Sequence, residues 1–161
     1  MKVSMVERVW LAVLILSGRR QSDVNKISAG SLKHDDNVTF VLLPKDKMHQ
    51  NSLISFEFVW AWNLDVDLQP LKREFFRLLS NCEKPFSNIN IQSVRRKCDF
   101  KLHALRNRKA IMLATEGRTK EYIMSYIGWA SDQSLLRYTR VPITILNKFT
   151  SYDDALKFIR K

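Results

Sequence analysis

Cysteine is nearly missing from this sequence, and the two present, Cys82 and Cys98, form neither a disulfide framework nor a zinc spacing. Such usage fits a reducing, intracellular compartment. Histidine is as sparse: His34, His49 and His103 are far apart, so no metal site is expected from them. There is no P-loop, no Gly-rich dinucleotide turn, no H-E-x-x-H and no C-x-x-C pair. No cofactor is therefore predicted. The apolar run "WLAVLIL" (Trp10–Leu16) is too short to span a bilayer. Glu7 stands upstream of it, and "SGRR" follows where a secretory signal would need a small-x-small cleavage site. The run reads as a buried helix, and neither secretion nor a membrane partner is predicted.

Acidic residues are also in short supply, 16 against 27 Lys and Arg, which leaves a net charge of +11. That balance favours a polyanionic partner, nucleic acid before all others. With 161 residues and 45% hydrophobic content, one domain can bury most of its apolar surface without staples.

Along the chain, residues 3–17 predict an apolar helix stopped at Gly18, and "RRQSDVNKIS" continues with weaker helical spacing. Turns follow at "AGS" and "HDDN". The β-rich runs 37–44 and 52–60 flank the polar "KDKMHQN" and predict a hairpin. "LQPLKREFFRLLSN" (68–81) has a proline near its start and apolar residues at helical spacing, and "IQSVRRKC" opens another helix after the loop "EKPFSNIN". From 101 onward helices are predicted over 101–116, 119–127 and 131–139, with breaks at Gly117 and Gly128. A last amphipathic helix starts near Ser151. The predicted class is α+β, mainly helical, with a small antiparallel sheet or hairpin.

The segment "HALRNRKAIMLATEG" (103–117) sets His103 one turn from Arg106 beside an apolar stripe that includes Ile111 and Leu113. A basic, solvated helix side would explain this, and so would an anionic group held at a cleft. The wider run "VRRKCDFKLHALRNRK" (94–109) carries seven Lys or Arg and one acid. Its Arg95, Arg96, Lys97, Lys101, Arg108 and Lys109 are candidate phosphate contacts, which would position the protein without reading sequence.

"HALR" at 103–106, Gly117 eleven residues after Arg106, "GW" at 128–129 and Tyr138 nine residues after Trp129 form one layout. It resembles the tyrosine recombinases (the phage-integrase family), with their H-x-L-R, inter-helix glycine, G-H or G-W, and nucleophilic tyrosine. "SGRRQSD" is similar to the family's T-G-x-R-x-x-E, which maps its first arginine onto Arg20 and the acid onto Asp23, with Arg19 as the neighbouring rival. The hairpin is similar to the strand pair whose turn carries the catalytic lysine, here Lys47 with Lys45 as its rival. The resemblance covers most of residues 5–145.

That resemblance implies a catalytic domain that cuts and rejoins double-stranded DNA through a 3′-phosphotyrosyl intermediate, without metal or ATP. Tyr138 would be the nucleophile. Arg20 and Arg106 would fork onto phosphate oxygens and stabilise the phosphorane. His103 would hydrogen-bond a non-bridging oxygen or assist proton removal, Lys47 would protonate the leaving 5′-oxygen, and Trp129 would donate its indole N–H. Asp23 would support the cluster. Family members act as tetramers on two duplexes, so a homotetramer on DNA is expected, with 143–161 a candidate exchange helix.

Departures from the pattern stand beside these matches. Asn107 and Arg108 follow "HALR" where the family often has histidine and threonine. Only 19 residues precede Arg20, so the family's N-terminal core-binding domain is expected to be absent from this chain, at a cost in DNA affinity. Two rivals remain on sequence: a non-cutting DNA-binding remnant, and a type IB topoisomerase-like enzyme with a similar residue set.

Overall fold

The computed structural model describes residues 3–44, 53–60, 67–97 and 103–127. Lys45, Lys47, Cys98, Lys101, Trp129, Tyr138 and the segment 143–161 lie outside the described residues, as does the side chain of His103.

Helix α1 (Met5–Ser17) is the centre of the molecule. Ser4 and Glu7 form a capping box at its start: the Ser4 hydroxyl accepts from the Glu7 amide at 3.3 Å and the Glu7 carboxylate accepts from the Ser4 amide at 2.9 Å. From Val9 to Ser17 every residue is buried, because the helix is apolar on all sides and other elements surround it. It ends where predicted, at Gly18, whose φ of 65° is the left-handed conformation that glycine adopts without penalty.

Short helix α2 (Gln21–Asn25) and a single 3-10 turn lead into an antiparallel sheet. Its strands β1 (Leu32–Asp35), β2 (Val38–Pro44) and β3 (Leu53–Val59) lie in that order. The β2–β3 hairpin matches the sequence expectation, with Val41 opposite Phe56 and Thr39 opposite Phe58. Strand β1 stands where only turns were expected; its Leu32-Lys33-His34-Asp35 is mostly exposed and owes its conformation to pairing with β2. Alternation sets the inner face: Thr39, Val41 and Leu43 point to the core, while Phe40 and Leu42 stay exposed.

Helix α3 (Gln69–Asn81), with Pro70 in its first turn, buries Leu71, Phe75 and Leu79. Phe75 meets Phe58, Trp60 and Phe86 at ring-centroid distances of 5.4–6.0 Å. Both described tryptophans are buried and keep their N–H satisfied, Trp60 by Thr39 Oγ1 at 2.9 Å and Trp10 by Asn25 Oδ1 at 2.6 Å. Helix α4 (Ile91–Lys97) is followed by α5 (His103–Thr115), the break at Gly117 and α6 (Lys120–Ile127). Helix α5 runs against α1 and α6. The class is as predicted, mainly helical with a small antiparallel sheet. No described helix is long and apolar enough to cross a membrane.

Candidate functional site

The left-handed Gly18 turns the chain sharply, and the two arginines that follow it diverge. Arg19 is buried and its Nη2 donates to the carbonyls of Ser55 on β3, at 2.9 Å, and of Ser125 on α6, at 3.0 Å. Arg20 caps α2, is exposed, and lines a cleft of about 830 Å³. Ligand sites commonly fall between roughly 300 and 1,000 Å³.

Arg106 reaches the same cleft from α5. Its Nε donates to the Gly18 carbonyl at 3.2 Å and its Nη2 to the Ile127 carbonyl at 2.9 Å. Burial, and then the nearby Arg20 charge, lower its pKa to about 10, so the guanidinium is still protonated at neutral pH. Asp23, buried on α2, acts in the opposite sense on both Arg106 and Arg19. The result is a cluster of three guanidiniums in which one carboxylate offsets the charge felt by two.

Arg19, at its edge, with Lys26 and Arg95 completes the charged lining, which holds five cations and no carboxylate among the described residues. Like charges held this close repel, and an anion in the cleft relieves them. Among the described residues no group of His, Cys, Asp and Glu is placed to hold a metal.

Of the residues singled out in the sequence, the fold therefore brings Arg20 and Arg106 to one cleft, with Asp23 buried on α2 behind its lining. His103 opens α5, one turn ahead of Arg106. The basic run from 94 to 109 does not form one solvated strip. Arg95 and Arg96 are exposed at the end of α4, with Arg95 on the cleft. Lys97 instead pairs with the Glu7 carboxylate at 2.8 Å, tying α4 to the start of α1.

Arg108 and Lys109 are buried, because α5 passes between α1 and α6 rather than across the surface. The Lys109 ammonium lies over the Tyr126 ring, 5.3 Å from its centroid, and burial lowers its pKa to about 8. Sequence reasoning treated Arg19 only as a rival of Arg20. No signal in the sequence marks Arg19 as the buried member of the pair.

The sequence matches no protein-family model, and none of the curated proteins matches it. Solved structures do resemble it in fold. A XerH site-specific recombinase bound to difH substrate in a pre-cleavage complex superposes with a TM-score of 0.65 at 12% identity, covering 91% of this chain. XerH bound to a palindromic difH substrate in a post-cleavage complex gives 0.63 at 14% identity over 92%. This chain spans about half of those proteins, 47% of each. The described chain is thus similar in fold to a tyrosine-recombinase domain.

Proposed function

We propose that this chain is a tyrosine-recombinase catalytic domain, a DNA strand transferase that cuts and rejoins double-stranded DNA through a 3′-phosphotyrosyl link on Tyr138. The observation that carries the reading is the meeting of Arg20 and Arg106, distant in sequence, on one cationic cleft. The fold likeness to a site-specific recombinase supports it independently.

In this reading the scissile phosphate sits between the two guanidiniums. Each planar fork presents N–H donors to two non-bridging oxygens, and together they stabilise the charge of the pentacoordinate phosphorane without a metal. Tyr138 attacks phosphorus and the P–O bond to the 5′-oxygen breaks. His103 helps remove the phenol proton or hydrogen-bonds the phosphate, Lys47 returns a proton to the leaving oxygen, and Trp129 adds an N–H donor. Reversal by a second DNA end releases the tyrosine, so the bond energy is conserved and no ATP is needed.

Asp23 offsets repulsion at Arg19 and Arg106. Arg95 and Arg96 are the exposed candidates for flanking phosphates, and Lys101 completes the set, whereas Arg108 and Lys109 are buried. The working assembly is a homotetramer on two duplexes, with 143–161 as the exchanged segment.

A duplex carrying a 5′-bridging phosphorothiolate tests this, because its thiol leaves without a general acid and religates poorly. The wild-type chain is expected to form an SDS-resistant covalent adduct, and Tyr138→Phe to form none while keeping its affinity for the duplex. Equal adduct from Tyr138→Phe overturns the mechanism. Salt-sensitive binding with no wild-type adduct points to a non-cutting DNA-binding domain.

A further inference from the structure

Arg19 stands beside Arg20, yet its side chain does a different task. In the last described turn of α6, Ser125 O accepts from Arg19 Nη2 at 3.0 Å and Ile127 O accepts from Arg106 Nη2 at 2.9 Å. The same Arg19 nitrogen donates to Ser55 O on β3, and the guanidinium lies over the Phe56 ring, 5.1 Å from its centroid. One side chain thus joins the end of α1, strand β3 and the end of α6.

This arrangement is costly. Arg19 is 5% exposed, and its Nε has no hydrogen-bond partner among the described residues. A buried guanidinium that is only partly satisfied is expensive, and an apolar side chain would fill the space at less cost. What an apolar residue cannot do is hold two carbonyls from different elements. Arg19 Nη2, with two hydrogens, can do so while the planar guanidinium stays over the Phe56 ring, and a lysine has no plane to lay there.

We propose that Arg19 is a positioning residue which, with Arg106, fixes the end of α6, from which the chain runs on to Trp129 and Tyr138; the inference rests on the strand-transfer reading above. Arg106 then has two tasks, phosphate and helix end, so α6 is referenced directly to a phosphate-binding group. A displacement of about 1 Å between reacting groups costs on the order of a hundredfold in rate.

The test uses the full chain with Arg19→Met and Arg19→Lys. Three quantities are measured: affinity for the phosphorothiolate duplex, single-turnover adduct rate at saturating duplex, and hydrogen exchange without DNA. For Arg19→Met the expected affinity is within about twofold of wild type, and the saturated rate falls about tenfold or more. Exchange of the α6 amides at 124–127 accelerates about tenfold while α1 keeps its protection. Arg19→Lys retains the charge without the planar group over Phe56, and does not restore the rate.

An unchanged saturated rate overturns the proposal. So does weakened affinity with an unchanged rate, which makes Arg19 a phosphate ligand, and so does exchange that rises evenly along the chain. If neither variant folds, Arg19 is a folding residue and the positioning role is withdrawn. A wild-type chain without adduct removes the strand-transfer reading alone, and exchange at α6 then decides the clamp by itself.

Discussion

The Gly18 carbonyl accepts a hydrogen bond from Arg106 Nε at 3.2 Å, across 88 positions of the chain. The residue that ends α1 is therefore also a ligand of a cleft arginine. A Cβ on Gly18 would lie 2.7 Å from both Ile127 Cδ1 and Lys109 Cγ, so only glycine lets α5 and α6 come this close. The same side chain, through its bond to Ile127 O, ties α1, α5 and α6 together.

Gly18→Ala tests that closeness. Alanine there adopts φ near +65° and collides with α5 and α6 at once. The two penalties together predict a loss of about 2–4 kcal/mol, read as a lower urea midpoint with an unchanged slope. A loss under about 0.5 kcal/mol, the range of an ordinary surface change, contradicts the packing described.

Lys109 predicts a pH dependence of stability. Burial holds its folded pKa at about 8, below the value of 10.5 expected when unfolded. Between those values the unfolded chain binds the extra proton, so stability rises with pH through that window. Urea midpoints are expected to climb from pH 8 to about 9.5 in the wild-type chain, and the climb is expected to be absent in Lys109→Met. Parallel profiles for the two proteins would show that Lys109 is not held below its unfolded value.

Much of this was legible in the sequence because local signals and global packing agree. Gly18 stops an apolar run, Pro70 starts an amphipathic one, and alternating β-formers flank a polar turn. Strand β1 was not legible: Lys33, His34 and Asp35 have little strand preference, and a strand made by its partner leaves no mark in its own residues.

Arg20 and Arg106 were reached through a resemblance in spacing, and the fold brings them to one cleft. The interior cations were missed for a physical reason. Lysine and arginine on a helix ordinarily mean solvent, so the burial of Arg108 and Lys109 follows only from α5 lying between two other helices. Arg19 and Arg20 are the same residue type side by side, and what separates their tasks is the surroundings the fold gives each, carbonyls for Arg19 and solvent for Arg20.

The most direct test of the cleft is the single-turnover adduct rate of Arg20→Ala at saturating phosphorothiolate duplex, measured beside its unfolding stability. Arg20 is exposed and its positive charge repels that of Arg106, so removing it is expected to leave stability unchanged or slightly raised. Loss of a preorganised donor at the phosphorane predicts a rate lower by about 10²–10³-fold. A folded Arg20→Ala protein that forms adduct within about twofold of the wild-type rate, far inside what one such donor supplies, would contradict the assignment of this cleft as the phosphate site.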